Sequence, residues 1–239
     1  MTNATKISII AVAGFMTSIA GANTLNLQFT GVGLRESVKV TDTSLGITNM
    51  NVNAGEIQYK TLTGTNAPGF SVGQMISTFC MDLSQNVSNG ILTLVGLESG
   101  PVPGPQMGAE RASLLRNLYA TSYATAFTNN TAAAAFQLAV WEIINEANLD
   151  ASQGTRGLAG IDVNGGDFKA TNNANARTQA NLYLDQAFLA FKDGLTGYNL
   201  MAGVSPTAQD QIFIVSVPMP SAAGLGFVGL ASLGLRRRR

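Results

Sequence analysis

Apolar and polar residues alternate along most of residues 23–100, the pattern of β-strands with one buried face. Turns rich in Gly, Asn and Thr separate the runs. Six segments share this pattern: 25–33, 36–43, 46–55, 56–64, 77–87 and 90–97. Short strands at intervals of about ten residues are typical of an antiparallel sandwich or barrel.

The periodicity then changes to that of α-helices across residues 108–148. The stretch 131–146 (TAAAAFQLAVWEIINE) begins at the end of the polar run Asn129-Asn130-Thr131, which is suited to helix capping, and continues with four alanines, the best helix formers. One face of this helix is apolar and carries Ala133, Phe136, Val140 and Ile144. Glu142 and Glu146 are predicted to lie on the opposite face.

The remainder of the chain contributes a short strand at 167–170, a third helix at 175–194 and a final strand at 211–217. We therefore predict an α+β fold: an antiparallel β-sandwich or barrel with an inserted helical region at about 108–148 and 175–194. This domain spans residues 23–214. A signal peptide precedes it, and a short C-terminal membrane helix follows it.

Residues 1–22 have the layout of a secretory signal peptide. One charge, Lys6, precedes an apolar run, and the small residues Ala20 and Ala22 follow it, which places cleavage after Ala22. The alternative is an N-terminal membrane anchor, but the apolar run is short for a span of about 20 residues. The sequence therefore predicts an exported protein.

Residues 215–239 form a three-part tail. It begins with Val217, Pro218 and Pro220, and continues with uncharged small and apolar residues at 222–235. It ends in four basic residues, Arg236, Arg237, Arg238 and Arg239. An apolar helix followed by a basic cluster indicates a membrane segment, although fourteen residues reach only about 21 Å of a core about 30 Å thick.

This tail resembles the PEP-CTERM sorting signal of exported bacterial proteins, although Met219 stands where that signal usually has Glu. The resemblance implies recognition by an exosortase-type sorting protease in the membrane. It also implies a transient C-terminal anchor and delivery to the cell surface or the extracellular matrix. A simple tail anchor is the alternative.

Charge and composition narrow the possible functions. The chain has 14 basic and 14 acidic residues, but Lys6 and the terminal arginines account for five basic ones, which leaves nine between the two ends. An acidic domain is poorly suited to nucleic acid, so we expect no nucleic-acid partner. The chain has no histidine. It therefore lacks the commonest general base and the usual metal ligand, and we expect no cofactor, no metal and no catalytic residues.

Two residues carry the candidate chemistry. Cys80 is the only cysteine, and an unpaired thiol is unusual in an exported protein. Gln137 lies within the apolar face of its helix, where a carboxamide needs a partner. If the strand of Cys80 lies beside this helix, the thiol can displace ammonia from the carboxamide and form an internal thioester. An amine or a hydroxyl can later displace the sulfur.

Two motifs resemble the thioester domain of bacterial surface adhesins: FCMD at 79–82 and FQLAVW at 136–141. The resemblance implies a bond between Cys80 and Gln137 with Trp141 packed over it. The adjoining motif residues are Phe79, Asp82 and Phe136. The adhesins typically have Thr or Tyr where this chain has Phe136. By this resemblance the partners are amines on surface proteins, or extracellular polysaccharide.

Two other functions stay open. The first is a passive matrix protein of the same fold, with Cys80 unreacted or bridged to a second chain. The second is an enzyme, but no catalytic constellation supports one and we predict none. Residues 162–167 superficially suggest a calcium loop, but they lack EF-hand spacing and are also explained as a Gly/Asn turn.

Overall fold

The computed structural model describes residues 22–101, 107–195 and 197–215, and within them the chain is a mixed α and β protein. The strands are β1 (Thr24–Asp42), β2 (Ile47–Thr61), β3 (Met75–Cys80), β4 (Gly90–Gly96), β5 (Phe168–Ala170), β6 (Leu200–Val204) and β7 (Gln211–Ile214). The helices are α1 (Gly108–Ala126), α2 (Asn130–Asn145) and α3 (Ala174–Lys192), with one 3₁₀ turn at Leu97–Ser99.

All seven strands belong to one antiparallel sheet in the order β2-β3-β7-β6-β4-β1-β5. Because β1 also pairs with β2, six strands form a closed cycle of pairings and β5 extends β1 at its far end. The predicted antiparallel sheet with inserted helices is therefore confirmed.

The first four predicted strands form two long strands in the structure. β1 joins the first pair of predicted segments and β2 joins the second pair. The glycines that suggested turns lie instead at irregularities in a continuous ladder, one between Phe29 and Gly31 and another between Val32 and Arg35. A β-bulge lets a strand bend and continue, so glycine inside a strand need not end it.

Helix α2 is the central element of the core. It contacts β1, β2 and β3 on one side and both other helices on the other. Asn129 caps it by accepting a hydrogen bond from the backbone N–H of Ala132, as the sequence predicted. Glu142 and Glu146, which helical spacing places opposite the apolar face, are buried as well, because α2 is covered on all sides.

The helical region predicted at 108–148 is present as α1 and α2, and the helix predicted at 175–194 is α3. The strands predicted at 167–170 and 211–217 are present as β5 and β7. Strand β6 was not predicted, because Gly and Pro surround its short apolar run. Cleavage-site residue Ala20 and the sorting-signal residues from Val217 to Arg239 lie outside the described residues. None of the three described helices combines the length and the apolar character that a membrane span requires.

Candidate functional site

The site lies where β3 loses one of its two neighbouring strands. The pairing of β2 with β3 runs from Lys60 opposite Met75 to Ile57 opposite Thr78 and stops there. On the other side, β7 stays paired, and the N–H of Met81 donates to the carbonyl of Asp210 at 2.9 Å. Successive residues of a strand direct their backbone groups to opposite sides. The backbone groups of Cys80 therefore face the gap that β2 has left.

The side chain of Gln137 fills this gap. The backbone N–H of Cys80 donates to Oε1 of Gln137 at 2.9 Å, and Nε2 of Gln137 donates back to the carbonyl of Cys80 at 2.8 Å. Cys80 is 2% exposed and Gln137 is 1% exposed. The carboxamide thus pairs with β3 as the peptide group of another strand would, and it is held directly against the cysteine.

The surroundings of Cys80 favour the protonated thiol. Burial raises its pKa far above the ordinary value, against smaller opposing interactions with the side chain of Trp141 and the backbone of Asp82. The thiol donates to the carbonyl of Asp82, with 2.9 Å between Sγ and the oxygen. The negative charges of Asp82 and Asp210 raise the pKa further. A thiol with a raised pKa is a weak nucleophile toward external reagents, because the thiolate is the reactive form.

Two polar groups close to this thiol have no hydrogen-bond partner among the described residues: the indole N–H of Trp141 and the hydroxyl of Tyr59. Trp141 is 3% exposed. Its N–H lies near the Cys80 sulfur and offsets a part of the rise in the thiol pKa. The two groups do not meet the geometry of a hydrogen bond. The thiol in turn helps to raise the pKa of Tyr59, after the larger effect of burial. Unsatisfied buried donors are costly, and they commonly mark functional positions.

Aromatic side chains close the site from behind. The rings of Phe79 and Phe136 lie 4.6 Å apart, and Tyr119 contacts Phe136 edge-on at 5.1 Å. These rings are buried and exclude water from the interior side of the Cys80–Gln137 pair. Phe79 directly precedes Cys80 in the sequence and Phe136 directly precedes Gln137, so the contact between the two rings brings the two motifs side by side.

A cavity of about 400 Å³ opens on the other side of the pair. Cys80, Gln137 and Trp141 line it together with Gly55, Gln85 and Gln209. The departure of β2 from β3 creates this space, since Gly55 lies in β2 beyond the last paired residue. Small molecules can therefore approach Cys80 and Gln137 from the cavity.

Asp82 does not approach the sulfur through its carboxylate. Its Oδ1 accepts hydrogen bonds from the backbone N–H and the hydroxyl of Ser84, at 2.6 and 2.7 Å, and so fixes the turn after β3. Asp82 and Asp210 line a second cavity of about 490 Å³. Burial and the nearby charge of Asp82 raise the pKa of Asp210 to about 6, against the opposing hydrogen bond from Ser205.

The structure brings together Cys80, Gln137 and Trp141 as the sequence predicted. Sequence reasoning missed Gln209 and Asp210, which join the site from the segment directly before β7. Gln209 donates to the carbonyl of Asp82 at 2.7 Å. The polar run QDQ at 209–211, directly before an apolar strand, was the available signal.

The suggested calcium loop has its side chains engaged in local hydrogen bonds. Oδ1 of Asp162 accepts from the backbone N–H of Asn164 at 3.0 Å, and Oδ1 of Asp167 accepts from Thr43 at 2.6 Å. Among the residues described, no group of three or more His, Cys, Asp or Glu side chains is placed to hold a metal ion.

Comparison of the chain with protein-family models, with curated proteins and with solved structures gave no match.

Proposed function

We propose that Cys80 and Gln137 form an internal thioester. We propose further that this protein is an exported bacterial surface or matrix protein, which uses the bond to attach itself covalently to amines or hydroxyls. The observation that carries the proposal is the pair of hydrogen bonds that hold the Gln137 carboxamide against Cys80. The pair lies in a buried setting that a cavity reaches from one side.

The contacts support a balanced reaction for forming the bond. The sulfur of Cys80 attacks the side-chain carbonyl carbon of Gln137, and the carbon–nitrogen bond breaks. The thiol proton goes to the departing nitrogen, which leaves as ammonia. Negative charge develops on Oε1 during the attack, and the Cys80 N–H already donates to that oxygen. The thiol must turn from the Asp82 carbonyl to the carboxamide carbon for this step.

The surroundings also favour survival of the bond. A thioester is activated toward water, and the rings of Phe79 and Phe136 keep water from its inner side. When an amine or a hydroxyl attacks the Gln137 carbon, the carbon–sulfur bond breaks and the proton of the nucleophile passes to the sulfur. The buried site favours the neutral thiol as the leaving group.

Export and sorting belong to the same proposal and are supported by the two ends of the sequence. The signal-peptide pattern at 1–22 directs the chain out of the cytoplasm. The tail at 215–239 gives a transient membrane anchor, read by an exosortase-type protease. The partners are then protein amines or extracellular polysaccharide at the cell surface.

Intact mass tests the thioester. The protein is purified without reductant, and its mass is compared with that calculated from its observed termini. We expect a mass one ammonia short, no thiol that maleimide can label after unfolding, and a methylamine adduct on Gln137. Cys80→Ala should abolish both the mass deficit and the adduct. A full calculated mass with one free thiol would reject the proposal.

The second candidate is a passive matrix protein with an unreacted cysteine. The hydrogen bond from the Cys80 thiol to the carbonyl of Asp82 favours it, because this contact satisfies the thiol without any bond to Gln137. An intermolecular disulfide is disfavoured by the 2% exposure of Cys80. The same mass measurement separates the two functions.

A further inference from the structure

We propose that the cavity beside Cys80 and Gln137 is a binding site for an uncharged sugar unit, and that a sugar hydroxyl, rather than a lysine amine, is the group that becomes attached to Gln137. This inference rests on the proposed thioester and narrows its partner to carbohydrate. The inference is based on the residues that line the cavity.

The outer part of the cavity is lined by carboxamides. Asn51, Asn53 and Asn86 are exposed, and their side chains make no hydrogen bond to any described residue. Deeper in the same cavity, the buried Oε1 of Gln85 also has no partner. A carboxamide both donates and accepts, which matches the dual character of sugar hydroxyls. The cavity therefore offers a set of uncommitted groups suited to a polyhydroxylated ligand.

The described lining of the cavity offers an ammonium group no net negative charge, since it holds one carboxylate, Glu56, and one cation, Arg35. Both oxygens of Glu56 already accept hydrogen bonds from protein groups. Oε1 accepts from Gln58 at 3.0 Å and from the hydroxyl of Ser77, while Oε2 accepts from the N–H of Leu34 at 3.2 Å. The exposed cation in the lining is Arg35, which repels a protonated lysine. A neutral hydroxyl meets no such barrier.

The inner end of the cavity suits the non-polar side of a sugar ring. Trp141 lines this end and is only 3% exposed. Its indole N–H has no hydrogen-bond partner among the described residues. An aromatic side chain with one polar edge can contact the C–H face of a ring and donate to one of its oxygens. Val52 and Ile57 add apolar wall.

The covalent step needs no further reagent. The hydroxyl oxygen attacks the side-chain carbon of Gln137, and the carbon–sulfur bond breaks. The hydroxyl proton passes to the sulfur of Cys80. The products are an ester on residue 137 and a free, protonated thiol.

The test compares nucleophiles on the purified full chain, followed by mass spectrometry of the Gln137 peptide. Methylamine first establishes that the thioester is present. Neutral oligosaccharides based on glucose, galactose and mannose are then compared with Nα-acetyl-lysine at equal concentration. We expect at least one oligosaccharide to form its adduct faster than the lysine derivative. Faster attachment of the lysine derivative than of every sugar would overturn the inference while leaving the thioester in place.

Variants at the outer part of the cavity provide the second arm. The double variant Asn51→Ala/Asn53→Ala should slow the sugar adduct about tenfold, the effect of losing two hydrogen bonds of ordinary strength, and should leave the methylamine adduct unchanged. Gln28→Ala is the matched control, because Gln28 is an exposed carboxamide on β1 outside the cavity. Equal slowing of both adducts, or no slowing of either, would count against a sugar site. Absence of any methylamine adduct would reject the thioester and this inference together.

Discussion

Gln137 acts as a substitute for a missing piece of backbone. Its carboxamide places an N–H donor and a carbonyl acceptor side by side, as a peptide group does, and it satisfies the two backbone groups of Cys80 that β2 leaves unpaired. Among the amino acids, only Asn and Gln offer this combination in a side chain. A carboxylate at residue 137 would accept from the N–H but would face the carbonyl of Cys80 with a second acceptor.

Asp210 makes stability depend on pH. Its folded pKa of about 6 exceeds the ordinary value of about 3.9. Its contribution to stability is therefore complete below about pH 4 and is lost as pH rises through about 6. Asp210→Asn removes the charge and keeps an acceptor for the N–H of Ser205. We expect this variant to unfold with a higher free energy at pH 7, by at most about 3 kcal/mol, and to match the parent at pH 4.

Denaturant titrations of both proteins at the two pH values measure the effect. Asp193→Asn is the control for removing one exposed negative charge. If Asp210→Asn gave the same difference at pH 4 as at pH 7, the Asp210 carboxylate would not be the group responsible.

For individual residues, the sequence predicts part of the site. Cys80 and Gln137 were recognisable because each is out of place: one is a lone thiol, the other an amide on an apolar face. The roles of Asp82 and Asp210 were not recognisable from the sequence, because the two residues come close only when β7 lies beside β3. A pairing between residues more than a hundred positions apart leaves no local pattern in one sequence.

Among the elements, β2 determines where the site can exist. Its residues from Ile57 to Lys60 pair with both β1 and β3, whereas its residues before Ile57 pair with β1 alone. Gly55 lies at the point of departure with a φ of 149°, and a Cβ added there would lie 2.2 Å from the carbonyl oxygen of Leu34. The close approach of β1 and β2, and with it one wall of the cavity, requires glycine at this position.

Gly55→Ala should therefore be strongly destabilising, by about 2 kcal/mol or more in the free energy of unfolding, because strain and a backbone clash add together. Gly31→Ala is the matched control. Gly31 has a similar φ of 151° on the partner strand, but an added Cβ would meet nothing within 4 Å. Denaturant unfolding of the two variants separates the clash from the strain. Equal losses would mean that the approach of β1 to Gly55 is not tight.

The elements were predicted unequally, and each error has a physical reason. The α2 helix was evident from its alanines and its cap, but the burial of Glu142 was not, because periodicity cannot show that a helix is covered on every side. A backbone N–H from Asp162 reaches Glu142 at 2.7 Å and partly satisfies it. Strand β6 has five residues and depends on its neighbours β4 and β7.

Across the whole molecule, the proposed bond would close a loop. Cys80 and Gln137 are 57 residues apart, and the bond would join a strand of the closed cycle to the central helix. A cross-link of this span restricts the unfolded chain and stabilises the folded state by about 4 kcal/mol in the chain-entropy treatment.

Opening the bond with methylamine should therefore lower the free energy of unfolding by up to about 4 kcal/mol. Denaturant unfolding of treated and untreated protein, both without reductant, measures the change. Cys80→Ala has no bond to open, so methylamine should leave its stability unchanged. Identical curves for the treated and untreated parent protein would show that no cross-link is present.

The chain contains one tryptophan, and the fold places it beside the sulfur of Cys80. Its indole emission is therefore a built-in optical probe of a single position. A thiol and a thioester differ in how they quench a neighbouring excited indole, so closing and opening of the proposed bond would change the emission of Trp141. The rate at which each nucleophile opens the proposed bond would then be measurable in real time, with no label added to the protein.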